Sequence, residues 1–511
     1  MPQRPQTRCP CLPTARILFT IASVAALFTR FFHHGLLLGF FQDDFFYYLK
    51  IADNLAQHGL SSFDGTHLTN GYHPLWLLTL TLLRLLLRGA PFFVALQALT
   101  LACALLCFAA AERIFRTLHV PNPLCSLGPF LVSMQALLLL RYGMEVTLAL
   151  PLGLWLVAYL LDVDATTRPP TVLRLSLLAS LTVLARLDAA LLVASLFLAL
   201  LLSISHLRSR THLLSLILGG IPLFLYLLIN HRVFHLLLPI SSHAKQLKST
   251  LLPSSSTVLG LLHPLDRMKM IFILPCLLLL AAGLLAFLRA SRNLPRSHAA
   301  ILLAALLFPL LQVATLSLLS DWVLWPWYFY TFVFSSLASI ILLAKLPALP
   351  HPAIGRSLQT AGIALASAYL VYIAAYSVFL PNSIGIYTSS LPLARYMDAH
   401  PGIYAMGDQA GTTAFLSSQP VIQLEGLVMD AAFLRKIKAQ EPLREILADY
   451  GVNFYVTLAP ATAQPCLPVR EPSQAGPHSP TSKGVICSAP LATFYRDNVV
   501  PIRVFDAHAV Q

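Results

Sequence analysis

The chain has 511 residues, of which 57% are hydrophobic and only 11% charged. Water-soluble domains carry about 25% charged residues, so this composition excludes a wholly soluble protein, and the many long apolar runs imply a polytopic membrane protein. The net charge of +13 does not point to nucleic acid, because aromatics are not interleaved with the basic loops and membrane proteins concentrate Lys and Arg on one side.

The first apolar run, 16–33, follows Arg4, Arg8 and Arg16 and has no clear small-residue cleavage site, so it reads as a retained anchor. Cys9 and Cys11 near the N-terminus form a pair too sparse to specify a metal. After the anchor come two adjacent aspartates, Asp43 and Asp44, at the head of Phe-Phe-Tyr-Tyr-Leu-Lys-Ile-Ala. Charge beside a bilayer is costly and usually functional. One Asp is accounted for as a helix cap; the second needs another explanation.

Residues 73–88 are apolar but carry Arg84 and Arg88 and run into Gly89-Ala90-Pro91. Further helices are predicted over 91–111, 124–140, 146–161, 171–185, 187–204, 212–229, 270–288, 298–319, 324–344 and 357–379. With 73–88 left out as an interfacial segment and the N-terminus inside, the inner segments hold 13 Lys and Arg and the longer outer ones 8. That is the expected asymmetry; counting 73–88 as a crossing reverses it. The expectation is therefore a domain over 1–380 with eleven crossings, interfacial helices within its first outer loop at 33–90, and an outer C-terminus. Cys103, Cys107, Cys125 and Cys276 read as inert packing residues.

Residues 381–511 read as a separate extracytoplasmic α/β domain. Val421-Ile-Gln-Leu and Val452-Asn-Phe-Tyr-Val-Thr suggest strands. Residues 430–449 suggest a helix interrupted at Glu441-Pro442. Residues 464–484, rich in Pro, Ser and Gly, suggest a loop closed by a Cys466–Cys487 disulfide if this segment lies outside the cell.

This topology gathers Asp43, Asp44, His73, Arg141, Glu145, Arg186, Asp188, His243, Lys245 and the aromatic run Trp325–Tyr330 on the outer side. Trp325, Trp327 and Tyr328 read as an interfacial aromatic belt, and Arg186 with Asp188 as either part of a site or an ion pair worth little at a surface. Alternating acids and bases suit an anionic ligand together with proton transfer. Two neighbouring carboxylates either titrate as a coupled pair or hold a divalent cation; the residues leave both open.

The acidic pair, Thr69-Asn-Gly-Tyr-His-Pro-Leu-Trp76, Tyr142-Gly-Met-Glu-Val-Thr, Ala185-Arg-Leu-Asp188 and Gly407-Asp-Gln-Ala-Gly411 occur in an order that resembles the C-type (GT-C) membrane glycosyltransferases. This superfamily includes protein O-mannosyltransferases, oligosaccharyltransferase catalytic subunits and the aminoarabinose transferase. The resemblance implies a polyprenyl-phosphate sugar donor and inverting transfer on the extracytoplasmic face to a lipid, glycan or protein acceptor. Asp43 would be the general base, and Asp44 an assistant or metal ligand. Glu145 would shape the site or join Asp44 on a metal. His73, Arg186 and Lys245 would contact phosphate, with Asp188 beside them. A bacterial inner membrane with a periplasmic C-terminal domain is the expected setting. The alternative is a transporter or flippase of lipid-linked glycans, although no paired broken helices mark inverted repeats.

Overall fold

The computed structural model describes residues 12–32, 37–122, 124–248, 253–254, 267–322, 324–346, 384–458, 466–496 and 500–511. The helix expected at 357–379, the boundary near 380 and the Cys9, Cys11 pair lie outside these residues.

The N-terminal half is helical. Its helices are α1 (Leu12–Phe28), α2 (Asp43–His58), α3 (Pro74–Leu86), α4 (Gly89–Thr117), α5 (Leu124–Leu140), α6 (Val146–Leu160) and α7 (Pro169–Ala185). They continue with α8 (Ala190–Ser203), α9 (Arg210–Gly219), α10 (Ile221–Ile229), α11 (Ile240–Lys245), α12 (Arg267–Ala290), α13 (Arg296–Leu319) and α14 (Thr331–Ala344). Proline at the first turn of α3 and α7 starts each helix where a missing N–H costs nothing.

Among the described residues, five stretches are long and apolar enough to cross a bilayer: Pro13–Phe32, Gly89–Thr117, Ile273–Asn293, Arg296–Leu319 and Pro326–Ala344. A sixth is added if α9 and the segment Ile221–Phe234, bent by 43°, count as one span. α5, α6, α7 and α8 are shorter. At 1.5 Å per residue, the 15 residues of α6 reach only about 22 Å of a core about 30 Å thick. α3 has 13 residues and lies along α2 and α7. Its Arg84 pairs with Asp53 of α2, which is the company an interfacial helix keeps. Ile17, Leu18 and Ile21 of α1 and Leu285 and Leu288 of α12 are exposed and would face lipid. Phe19, Leu154, Phe308 and Leu337 are fully buried and hold the helices together.

The C-terminal half opens with α15 (Ile384–Ala399) and contains α16 (Ala410–Leu416), α17 (Ala431–Ala439) and α18 (Leu443–Asp449). Its strands are β1 (Tyr404–Met406), β2 (Val421–Gln423), β3 (Phe454–Thr457), β4 (Leu467–Glu471), β5 (Ser482–Ile486), β6 (Ala492–Arg496) and β7 (Val500–Asp506). The main sheet runs β2-β1-β3-β7-β6, parallel from β2 to β3 and antiparallel beyond. The helical stretch is split at Pro442, as the sequence indicates.

Two expectations are corrected. Residues 464–484 are not all loop, because β4 and β5 form an antiparallel hairpin within and beyond them. Pro468 is tolerated because its strand, β4, pairs only with β5 and so keeps a free edge. Cys466 and Cys487 at its base are joined by a disulfide. Cys125 is disulfide-bonded rather than a free packing residue, whereas Cys103, Cys107 and Cys276 are free and buried.

The two halves meet at α2. Helix α16 packs on it, and a Cβ added to Gly71 would fall 1.9 Å from the carbonyl oxygen of Leu427. The segment between α2 and α3 therefore lies directly against the C-terminal half, with no room for a side chain at that point.

Candidate active site

The acidic pair forms the first turn of α2, after an extended Gln42, where carboxylates complement the helix dipole. The two side chains then diverge. Asp43 is 9% exposed and points into the C-terminal half. Its Oδ2 accepts the N–H of Gly411 (3.1 Å), and its Oδ1 accepts both the N–H and the hydroxyl of Thr412 (2.7 and 2.6 Å). Asp43 thus supplies the acceptor at the start of α16 that the sequence Gln-Ala-Gly-Thr does not supply locally. A Cβ on Gly411 would lie 2.3 Å from the Asp43 carbonyl, so glycine is needed for this approach. Burial pushes the Asp43 carboxyl up, against the pull of these hydrogen bonds.

Asp44 is only partly buried, and no described residue donates a hydrogen bond to it. Burial pushes its carboxyl up to about 7. Lys245 pulls it down, while Asp43, Glu145 and Asp408 push it further up.

A second network is built from residues at the ends of the helices, around Glu145 and Arg186. Glu145 immediately precedes α6. It accepts the Tyr48 hydroxyl at 3.3 Å and a close ion pair from Arg186. Arg186, 2% exposed, also holds Asp188 through Nε at 2.8 Å and Nη2 at 3.2 Å. Tyr330 and Gln312 donate to the same Asp188 carboxylate at 2.9 and 2.7 Å. The guanidinium lies 4.8 and 4.6 Å from the ring centres of Tyr328 and Tyr330, close enough for cation–π attraction. Burial would raise Asp188, but Arg186 overrides it and holds the carboxylate below its usual range. This is a buried, doubly paired guanidinium and not a surface ion pair, and removing one member would strand the others.

His73 caps the start of α3. Its Nδ1 accepts the N–H of Leu187 at 3.1 Å, which leaves the proton on Nε2, 3.8 Å from Glu145 Oε1. Burial lowers His73 in spite of Glu145. Lys245, the last residue of α11, donates to the Tyr328 hydroxyl at 3.0 Å. Burial would lower it, but Tyr328, Asp44 and Glu145 hold it above its usual value. His73, Arg186, Asp188, Lys245 and Tyr328 line one cavity of about 320 Å3. It has room for a charged headgroup.

The C-terminal half adds two acids, Asp408 from the Gly407–Gly411 motif and Glu425, which the sequence did not single out. Asp408 follows β1 and Glu425 follows β2, so both sit beyond the carboxyl ends of adjacent parallel strands, the usual ligand-facing edge of such sheets. Gln409, with φ at 63°, turns the chain from β1 into α16. Burial pushes Asp408 and Glu425 up, and both act electrostatically on Asp44 or are acted on by it. Tyr328 and Tyr330 were also missed, hidden in a run that reads as an aromatic belt. Among the described residues no three His, Cys, Asp or Glu side chains are grouped to hold a metal. Glu145 is committed to Arg186 and Tyr48, so Asp44 and Glu145 do not fit as a metal pair.

No protein-family model matches the sequence, and no curated protein matches it. Solved structures do. The oligosaccharyltransferase of Archaeoglobus fulgidus in its apo form superposes with a TM-score of 0.51 at 10% identity, over 87% of this chain and 69% of that one. ArnT from Cupriavidus metallidurans in the apo state gives 0.50 at 12% identity, over 86% of this chain and 92% of that one. Both are glycosyltransferases of the C-type membrane fold, and the likeness establishes that fold for this chain.

Proposed function

We propose that the protein is a membrane glycosyltransferase that moves a sugar from a polyprenyl-phosphate donor to a hydroxyl acceptor on the extracytoplasmic face. The observation that carries this reading is the cavity that Lys245, His73 and Arg186 line together, with the Lys245 charge acting on the Asp44 carboxyl. A carboxylate with a raised pKa and no hydrogen bond to a described residue suits a proton acceptor, and a lysine held cationic suits a phosphate.

In this mechanism the donor phosphate sits against Lys245, with His73 and Arg186 supporting it. Asp44 takes the proton of the acceptor hydroxyl, and the acceptor oxygen bonds to the anomeric carbon. The bond from that carbon to the phosphate oxygen breaks, and its electron pair leaves on the lipid phosphate. The cations stabilise that charge, so the leaving group needs no proton. A single displacement inverts the anomeric centre.

Asp43, the base expected from the resemblance, has both oxygens taken by Gly411 and Thr412. Its proposed role is to seat the C-terminal half on α2, which carries Asp408 and Glu425 to the site. Eleven crossings, a bacterial inner membrane and a periplasmic C-terminal domain complete the proposal. Support for the shared side comes from the hydrogen bonds that join Asp43 to the C-terminal half.

The test supplies purified protein with radiolabelled polyprenyl-phosphate sugars and a panel of hydroxyl acceptors. Sugar transfer that Asp44→Asn abolishes supports the proposal. Movement of the lipid across liposomes without transfer would replace it with the flippase reading.

A further inference from the structure

Helix α11 separates two hollows. Ser241, Ser242 and Lys245 face the 320 Å3 cavity described above. His243, on the opposite face, looks into a larger polar groove of about 650 Å3 between α11, the end of α17 and the β4–β5 connection. Gln246, directly after α11, lines both. The groove therefore adjoins the cavity across one side chain.

Its lining is basic. Lys248, Lys438, His243 and His478 contribute, and among the described residues no carboxylate does. Lys248 is anchored from behind by Asp321 at 3.7 Å and the Ser317 carbonyl at 3.0 Å. Lys438 is exposed and has no ion pair among the described residues, unlike Lys436 on the same helix, which holds Glu441 and Asp449. The Nε2 of His243 is buried without a hydrogen-bond partner among the described residues, and leaving a buried ring nitrogen unpaired is costly. A ligand oxygen would satisfy it. The groove thus presents the exposed Lys438 and an unsatisfied imidazole on one side of the α11 wall, while the proposed donor phosphate sits on the other.

We propose that this groove binds the acceptor, and that the acceptor is a polyhydroxylated, glycan-type molecule carrying a phosphate or carboxylate. This inference rests on the glycosyl-transfer reading for the word acceptor; the binding of a sugar-borne anion stands by itself. The anion is held by Lys438 and His243, and a hydroxyl of the same molecule reaches past Gln246 toward Asp44.

The test is a titration of the full-length protein in nanodiscs with glucose 6-phosphate, with glucose as the uncharged control. Wild type should bind the phosphate ester at least about tenfold more tightly than glucose, as expected for a charge-assisted hydrogen bond. Lys438→Glu should remove that preference and Lys438→Arg should keep most of it. Equal binding of the two sugars by wild type, or an unchanged preference in Lys438→Glu, would overturn the proposal. So would loss of the preference in Lys245→Met but not in Lys438→Glu, which would put the probe in the donor cavity. Competition by phosphatidate in the nanodisc bilayer would overturn the aqueous approach. A phosphate preference that depends on Lys438, found in protein showing no sugar transfer with any donor, would keep the groove and remove the enzymatic reading.

Discussion

The Asp43 carboxylate accepts the backbone N–H of Thr412 at 2.7 Å, across 369 positions of sequence. The first aspartate of the pair is thereby a cap on a helix of the other half, and the second accepts no hydrogen bond from a described residue and feels the Lys245 charge. Roles that adjacent residues of one type appear to share in a sequence are divided here by what each side chain reaches.

Thr412→Val removes the hydroxyl bond to a buried carboxylate and should destabilise the protein by about 1–3 kcal/mol. Thermal unfolding in detergent checks this. Gly411→Ala should be worse, because the methyl group meets the Asp43 backbone, and limited proteolysis should then release the C-terminal half more readily than in wild type.

Arg186→Lys should behave as a severe change. A single ammonium cannot serve Glu145 and the two oxygens of Asp188 together. Arg186→Ala strands both carboxylates and should cost about 3–5 kcal/mol, read as loss of thermal stability together with loss of transfer.

Lys245→Met should raise the KM for a polyprenyl-phosphate sugar by about 10–100-fold, the value of a lost charge-assisted contact. Lys245→Arg should recover part of it. A donor titration at saturating acceptor measures both.

Transfer should fall as pH drops below about 7, because Asp44 titrates there and only its ionised form accepts a proton. The stability effect has the opposite sign. The folded carboxyl is raised from 3.8 to about 7, so the unfolded chain releases this proton first. Stability from this group is fully present below about 4 and is lost as pH rises toward 7. Asp44→Asn should flatten that part of the stability profile, as measured by unfolding across the pH range.

Much of this site was legible in the sequence because charge stands out in an apolar chain. His73, Glu145, Arg186, Asp188 and Lys245 lie close together in the structure, and a charge-balance argument about loops also expects them on one side. The division of labour between Asp43 and Asp44 was not legible, since it depends on Thr412, a residue with no local signal. Tyr328 and Tyr330 were masked by their aromatic neighbours, which have an interfacial explanation of their own. Asp408 belongs to the Gly407–Gly411 motif, but nothing local in the sequence gives it a partner. Only the three-residue strand before it and its pairing with β2 set it beside Glu425.

The central claim is that Asp44 is the proton acceptor and Asp43 the anchor. The direct measurement is the rate of polyprenyl-phosphate release from a radiolabelled donor, in wild type, Asp44→Asn and Asp43→Asn, with thermal stability recorded alongside. The account predicts that Asp44→Asn loses about 10²–10⁴-fold in rate with stability kept at neutral pH, while Asp43→Asn loses stability first. A fully active Asp44→Asn, beside a stable but inactive Asp43→Asn, would contradict it.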